Sequence, residues 1–368
     1  MKRLSLLFSR AIAAIRNNRS YAAWKKRQAP VEEKPIALFD TDGLTVNRRI
    51  RQVELQLIDA GYTIRILPSK ASFLSTGNEP YGVAFWQNGF CAKDEPVSLV
   101  VCGKDNRKYP GQKKLVFCDD IADFPQHMEE PFFFPLHLHM IRMEAHQEAF
   151  VKQLPQEQKI GAVFIGSTAP ASYKPFESYI HNTFHLPSRL EVLDHVRKAF
   201  PESVFEPETA EEFWQAFDDP FHPLKNKIVL IDKPHIGGED YMRILRNSAF
   251  HLWTCGDQFP YCHNQPEGML CGAVPILQEY PLYAGLKNSE NCLIFSELLG
   301  LDEILEKIIS GGYADEEIER MSQNIQALYE KHFGEAAFEQ KLAAFLKSEK
   351  EEEPYYIHPA IYRRRASE

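Results

Sequence analysis

The feature that most constrains the fold is a short apolar run followed by a helical pattern, and it occurs twice. Residues 36–39 are apolar and precede a predicted helix at 46–60 and a second predicted strand at 62–67. The same order restarts at 160–165, where the turn Gly166-Ser167 follows the strand. Apolar runs of this length between helical patterns are typical of buried parallel strands. The sequence therefore predicts two α/β, Rossmann-like domains.

The remaining pattern gives the predicted boundaries. A capping box of Ser188 and Glu191 predicts a helix that begins at Arg189. Further predicted strands lie at 82–86, 97–102, 114–118, 203–205, 227–231, 249–253, 273–277 and 292–295. Further predicted helices lie at 140–154, 210–218, 239–247, 264–271, 302–309, 316–332 and 336–346. The predicted organisation is a basic segment at 1–30, an N-terminal domain at 35–152, a C-terminal domain at 157–333, and a helix with a charged tail at 334–368, with a cleft between the domains.

Net charge and cysteine content indicate which partners, compartment and metal sites to expect. The chain has 368 residues and a formal net charge of -9, so we expect no nucleic-acid partner. Seven cysteines, an odd number, are typical of free thiols in a reducing compartment, which favours the cytoplasm. The cysteines and histidines of 251–271 are candidate zinc ligands. Because that stretch has no CxxC pair, we expect no metal.

The first thirty residues differ from the acidic remainder. They contain eight Lys or Arg and no Asp or Glu. Leu4, Phe8, Ile12 and Ile15 recur at helical spacing among these basic residues, which is the pattern of a helix lying on an anionic membrane surface. A disordered basic arm is the alternative. The first interpretation predicts peripheral contact with the inner face of the cytoplasmic membrane.

The stretch 241–295 is the most informative for function. It is predicted as helix, strand, loop, helix and strand, and Glu267 lies in the first turn of the helix that starts near Asn264. In an open α/β sheet, ligands bind beyond the carboxyl ends of the strands, and a helix N-terminus there offers free N–H groups to an anion. A nucleotide diphosphate fits that chemistry.

The same stretch carries a resemblance to a known family. The segments YMRILRNSAF (241–250) and EGMLCGAVPI (267–276), with Gly256 between them, resemble GT-B glycosyltransferases of the exostosin-like or bacterial surface-polysaccharide (lipopolysaccharide or capsule) kind. The resemblance covers about 159–296. It implies two Rossmann-like domains in the GT-B arrangement. It also implies a nucleotide-sugar donor, as co-substrate and without a further cofactor, bound mainly by the C-terminal domain. The acceptor, a surface glycan or glycolipid, would bind mainly to the N-terminal domain.

The resemblance also implies roles for individual residues. Glu267 would accept both ribose hydroxyls, although a Glu there also complements the helix dipole. Gly166 and Ser167 would let the backbone approach a phosphate, although Gly after a strand is ordinary turn chemistry. The remaining predicted donor-binding residues are the two cations Arg189 and Lys233, which would replace a metal at the departing diphosphate or else be surface charges, and Asn264.

The sequence departs from the family at one informative position. Many retaining members carry a Glu eight positions before the second Glu, and here Phe259 stands there if Glu267 is the second. The departure favours inversion without a metal, which needs a general base. Asp40 and Asp42, at the end of the first strand, are the first choice. His137 and His139 are the rival set.

Two other classes of function stay open. The segment FDTDG (39–43) resembles the opening motif of haloacid-dehalogenase-type phosphatases, with Asp119 and Asp120 as a possible acidic pair. Against that interpretation, Leu44-Thr45 inverts the usual order, and the second domain is left unexplained. A catalytically inactive protein that binds a nucleotide or a glycan is the other alternative.

Overall fold

A computed structural model describes residues 34–118, 132–133 and 158–356, with gaps at 45, 77–79, 92–94, 104–107, 234–235, 257–259, 261 and 280–284. These residues divide into two compact units. Unit 1 comprises 34–118, 132–133 and 335–356, and unit 2 comprises 158–334. The segment 1–30, the helix predicted at 140–154, and the residues His137, His139, Asp119, Asp120 and Phe259 lie outside the described residues.

The strands and helices alternate along most of the chain. The strands are β1 (Ile36–Asp40), β2 (Thr63–Leu67), β3 (Gly89–Phe90), β4 (Val97–Gly103), β5 (Lys114–Cys118), β6 (Phe132–Phe133), β7 (Ile160–Ile165), β8 (Val204–Phe205), β9 (Ile228–Ile231), β10 (Ser248–Leu252), β11 (Val274–Gln278), β12 (Leu293–Phe295) and β13 (Glu352–Tyr356). The helices are α1 (Arg48–Asp59), α2 (Lys70–Thr76), α3 (Pro80–Phe85), α4 (Pro170–Tyr173), α5 (Glu177–Phe184), α6 (Arg189–Ala199), α7 (Ala210–Phe217), α8 (Gly238–Arg246), α9 (Asn264–Cys271), α10 (Leu298–Ile309), α11 (Asp315–Phe333) and α12 (Glu335–Lys347).

Unit 1 is built on a seven-stranded parallel sheet in the order β3-β2-β1-β4-β5-β13-β6. The Asn47 side chain caps α1, because its Oδ1 accepts hydrogen bonds from Arg49 N at 2.9 Å and Ile50 N at 3.3 Å. The inner face of α1, with Val53 and Leu57 fully buried, packs on the sheet. The predicted opening of strand, helix and strand is confirmed.

Two predictions for unit 1 need correction. Residues 82–86 were predicted as a strand, but they belong mainly to α3, where Pro80 takes the first helical position that suits its fixed φ. The charged segment after α12 was predicted as a tail, but it contains β13, which pairs with β5 along its whole length. Because α12 and β13 group with unit 1, the chain returns to its first domain after completing unit 2.

Unit 2 has a six-stranded parallel sheet in the order β12-β11-β10-β7-β9-β8. Ala162 and Phe164 of β7 pack into one apolar cluster, and Val163 and Ile165 pack into another. Burial on both faces explains why β7 is an uninterrupted apolar run. The prediction of two Rossmann-like α/β domains is therefore confirmed, and the cleft between them stays a prediction.

The strand order places a topological switch point in unit 2. From β7 the chain builds β8 and β9 on one side, then passes through α8 to β10 on the other side of β7. Ligands of open α/β sheets bind beyond the carboxyl ends of the strands at such a point.

Among the described residues, none of the helices is both long enough and apolar enough to span a membrane.

Candidate donor-binding site

Glu267 is a buried carboxylate beside the switch point. It lies in the first turn of α9, is 1% exposed, and its Oε2 is 3.4 Å from His263 Nδ1. Tyr241 of α8 is also buried. Burial, and after it the charge of Glu267, raise the pKa of the Tyr241 hydroxyl well above its ordinary value. Glu267 therefore lies inside the fold, and the partly exposed His263 is its neighbour toward the surface.

His251 fixes the packing of α9 against β10. Its side chain is fully buried, and its Nδ1 accepts a hydrogen bond from Trp253 Nε1 at 3.1 Å. Burial lowers the pKa of His251 to about 3, so the imidazole is neutral. A Cβ atom on Gly268 would lie 2.3 Å from His251 Nδ1, so only glycine fits beside the ring. The glycine that follows Glu267 thus has a steric reason in β10.

Arg189 ties together the loops that follow β7 and β10. It is 3% exposed, and its guanidinium lies 4.6 Å from the Tyr173 ring centroid. All three of its nitrogens donate. Nε donates to Thr254 Oγ1 and to Cys255 O, at 3.0 Å each. Nη1 donates to Ser167 O at 2.9 Å and to Tyr173 Oη at 2.5 Å. Nη2 donates to Cys262 Sγ at 3.2 Å.

The consequence is a buried positive charge at the switch point. Burial opposes ionisation of the Cys262 thiol, but the Arg189 charge, His263 and the Asn264 N–H outweigh burial and lower the pKa of Cys262. Arg189 was predicted as a phosphate partner. Its hydrogen bonds within the protein position the loops that follow β7 and β10, and its role as a phosphate partner stays a prediction.

The structure brings most of the predicted donor residues together. Gly166, Ser167, Arg189 and Asn264 all lie at the carboxyl end of β7. Asn264 is 2% exposed; its Nδ2 is 3.5 Å from Ile165 O, and its Oδ1 has no hydrogen-bond partner within the described part of the chain. Ser167 is exposed.

Lys233 stands apart from this group. It follows β9, and its exposed ammonium pairs with the Glu208 carboxylate. The residue before Lys233 is Asp232, which follows the end of β9. Its carboxylate accepts hydrogen bonds from Thr168 Oγ1 at 2.7 Å and from Arg197 Nη2 at 2.8 Å. Lys233 therefore has an acidic neighbour on the surface, and its role as a phosphate partner stays a prediction.

Unit 1 holds a separate cluster at the end of β1. Asp40 is 1% exposed, and its Oδ2 accepts from Tyr109 Oη at 3.0 Å and from Lys108 Nζ at 3.4 Å. Lys108 Nζ also donates to Asp42 Oδ2 at 3.0 Å. Tyr109 has a φ of 73°, a left-handed conformation that is costly for a bulky residue. The two predicted base candidates thus share one lysine.

The acidic pair of the phosphatase interpretation lies outside the described residues. Asp119 and Asp120 come after β5, and β4 lies between β5 and β1 in the sheet. β4, the strand beside β1, ends at Gly103. Within the described ranges, no group of three or more His, Cys, Asp or Glu side chains is arranged to hold a metal ion.

Sequence reasoning missed several residues of these clusters. His251, Cys262, Lys108 and Tyr109 were not assigned roles at the donor or base sites. His251 lies inside an apolar strand, where nothing in the pattern separates a packed histidine from a functional one. Lys108 and Tyr109 follow β4, the strand beside β1, so the strand order would have identified them.

Neither a protein-family model nor a curated protein matches the chain. Solved structures similar to it include Anabaena HepE in complex with UDP (TM-score 0.42, 11% identity, 85% of this chain and 99% of that chain). T4 phage BGT in complex with UDP-glucose is similar at TM-score 0.43 and 11% identity, over 85% of this chain and all of that chain (100%). A glycosyltransferase from Rickettsia africae is similar at TM-score 0.44 and 11% identity, over 86% of this chain and 98% of that chain. The Rickettsia africae protein is named as a glycosyltransferase, the class of enzyme that the sequence resembles.

Proposed function

We propose that the chain is a glycosyltransferase that takes a sugar from a nucleotide-sugar donor held at the carboxyl edge of the unit 2 sheet. One observation carries the proposal. At the topological switch point, the ends of β7 and β10 and the N-terminus of α9 converge around the buried Arg189 guanidinium and the Glu267 carboxylate. Such a point is where open α/β sheets bind nucleotides.

Each half of a nucleotide diphosphate has a complementary group in this cluster. The α9 N-terminus and the Arg189 charge favour the diphosphate. Glu267, an acceptor-only carboxylate, suits the two ribose hydroxyls, which are donors. Because Glu267 is 1% exposed and lies beside His263, the ribose contact requires neighbouring side chains to move.

For the chemical step we propose direct displacement without a metal. The acceptor hydroxyl gives its proton to Asp40 as its oxygen attacks the anomeric carbon, and the bond from that carbon to the diphosphate breaks with the electron pair leaving on the nucleotide. We propose that the acceptor is a surface glycan or glycolipid at the inner face of the cytoplasmic membrane. The basic segment 1–30 supports a membrane-associated acceptor.

Calorimetry with a panel of nucleoside diphosphates tests the donor site. We expect one of them to bind the wild-type protein. Glu267→Gln, which keeps the side-chain shape but removes the charge, should weaken binding at least about tenfold, or about 1.4 kcal/mol. Glu290→Gln is the matched control, because Glu290 is an exposed acid of the same unit paired with Lys287.

Three outcomes separate the possible functions. Binding of no nucleoside diphosphate would contradict the donor site. Binding together with sugar transfer or donor hydrolysis supports the enzyme. Binding without turnover of the matching nucleotide sugar on any acceptor tried would favour a catalytically inactive binding protein instead.

A phosphatase is the second candidate, and the observation in its favour is the Lys108 ammonium shared by Asp40 and Asp42, since a cation there suits a phosphate. Hydrolysis of a phosphomonoester by the wild type and its loss in Asp40→Asn would support it. If Asp40→Asn abolishes sugar transfer while nucleotide binding in unit 2 persists and no phosphatase activity exists, the glycosyltransferase interpretation stands.

A further inference from the structure

A cavity lies at the amino end of the unit 2 sheet, away from the proposed donor site. Its volume is about 390 Å³, within the range of small-molecule sites. It is bordered by the start of β7, the loop before β9, and the turn between α10 and α11. Its principal lining residues are Lys159, Lys225, Asn226, Phe250, Tyr313 and Asp315.

Lys159 is the unusual member of this lining. It is 4% exposed, yet no hydrogen bond or ion pair joins its ammonium to any of the residues that the structure describes. Burial lowers the pKa of Lys159; the charge of Glu319 opposes this effect and Arg246 adds to it. Lys159 Nζ is not one of the fully buried polar atoms that lack a hydrogen-bond partner, so the ammonium opens onto the cavity while the rest of the residue is buried. An anion in the cavity would pair with this ammonium.

One wall of the cavity contains a close backbone contact. A Cβ on Gly161 would lie 2.7 Å from Lys227 O, so glycine lets the chain before β9 approach the start of β7. Asn226 has a φ of 61°, and its side chain lies beside Gly311, whose φ is 68°. These left-handed positions fix the loop and the turn that form two walls of the cavity.

The remaining walls provide a surface for the body of a ligand. The rings of Phe250 and Tyr313 are in contact, with centroids 5.2 Å apart. Lys307 Nζ lies 3.8 Å from the Tyr313 ring centroid, which fixes that ring from outside. Asp315 is an acidic residue of the lining and can accept hydrogen bonds from hydroxyl groups. The lining thus combines two cations, the partly exposed Tyr313 ring and a hydroxyl acceptor.

We propose that this cavity binds a small hydroxylated organic anion, carrying a phosphate or carboxylate group that pairs with Lys159 and Lys225. The ligand is distinct from the sugar donor, because Lys159 precedes β7 whereas Gly166 follows it. Six residues of strand separate the two edges of the sheet by roughly 20 Å. The site is therefore a second binding site on the same sheet.

Titration calorimetry with three probes tests the proposal: glucose 6-phosphate, glucuronate and inorganic phosphate. We expect glucose 6-phosphate or glucuronate to bind the wild type, and the tighter of the two identifies the anionic group. Lys159→Met should weaken that binding at least tenfold while melting no lower than wild type, because it removes the ammonium but keeps the buried apolar stem. Lys198→Met, an exposed lysine paired with Asp194, should bind as wild type.

The donor-site variant Glu267→Gln keeps the two sites apart. It should leave probe binding unchanged, and an equal loss in Glu267→Gln would show that the probe occupies the donor site, which overturns the proposal. Binding of none of the probes, or equal affinity in wild type and Lys159→Met, would overturn it too. If Lys159→Met does not fold, acylation of Lys159 in the wild type should slow when the probe is present, and an unchanged rate contradicts the proposal.

Discussion

At the scale of single residues, contacts across the sheet decide what a side chain can do. Arg189 begins a helix, a position from which the sequence predicted a phosphate contact. In the structure, its donors go to Ser167 O, Thr254 and Cys255 O on two loops separated widely in sequence. A capping box marks where a helix begins, but it carries no information on which loops fold over that start. For this reason the residue could be predicted and its burial could not.

The pairing of Gly268 with His251 leads to a prediction at the same scale. Gly268→Ala would place a Cβ 2.3 Å from His251 Nδ1, so α9 must shift away from β10. We expect a loss of roughly 1–3 kcal/mol in the free energy of unfolding, as for other overpacked cores, together with weaker nucleotide binding because Glu267 shifts with the helix. Urea unfolding and nucleotide calorimetry measure the two effects.

Gly237→Ala is the matched control for that substitution. Gly237 precedes α8, and a Cβ built on it meets no atom within 4 Å. Its unfolding free energy should stay within about 0.5 kcal/mol of wild type. Equal effects of the two alanine substitutions would show that contact with His251 is not what requires a glycine at 268.

At the scale of elements, local signals predicted unit 2 well. The strands predicted at 227–231, 249–253 and 273–277 each lie within one residue of β9, β10 and β11, since fully buried parallel strands are apolar throughout. The errors occurred where tertiary contacts override local pattern. Residues 82–86 are too few for periodicity to separate helix from strand. β13 contains Glu352 and Glu353, and its partner strand β5 lies more than 200 positions earlier.

The capping box of α6 gives a prediction on pH. Ser188 N donates to Glu191 Oε2 at 2.8 Å, and Glu191 N donates to Ser188 Oγ at 3.3 Å. Burial raises the pKa of Glu191, but the hydrogen bonds from Ser188 and His181 lower it more, so the net pKa lies below its ordinary 4.5. A carboxylate with a lowered pKa stabilises the fold above pH 4.5, and this contribution is lost as the pH falls through the folded pKa.

Glu191→Gln isolates that contribution, because glutamine keeps the hydrogen bond to Ser188 N and loses the charge. The difference in urea midpoint between wild type and Glu191→Gln should be constant from about pH 5 to 6 and should shrink below pH 4.5. Glu202→Gln, an exposed acid in the turn after α6, should show no such trend. A difference that grows toward low pH would be the opposite of what the capping box requires.

At the scale of the whole molecule, the C-terminal elements of the chain complete unit 1, the domain that the chain begins. After α11 completes unit 2, α12 contributes Phe338, Leu342 and Phe345 to the unit 1 core. Tyr355 of β13 is fully buried, stacks on Phe117 with ring centroids 6.0 Å apart, and donates its hydroxyl hydrogen to Gln56 Oε1 at 2.6 Å. Unit 1 therefore depends on residues synthesised after unit 2, and its seven-stranded sheet is complete only when β13 lies between β5 and β6.

This dependence predicts that substitutions on either side of Gly334 affect different units. Phe338→Ala removes a ring that is 1% exposed from the unit 1 core, and we expect a cost of about 3–5 kcal/mol. Phe333→Ala, five residues earlier, removes a ring that is 5% exposed at the end of α11 in unit 2. Hydrogen exchange, measured peptide by peptide, should therefore become faster in 36–118 for Phe338→Ala and in 158–333 for Phe333→Ala.

Nucleotide binding in unit 2 should survive Phe338→Ala, because Glu267 and Arg189 do not belong to the apolar core that contains Phe338. Faster exchange in unit 2 alone for Phe338→Ala would contradict the return of the chain to unit 1.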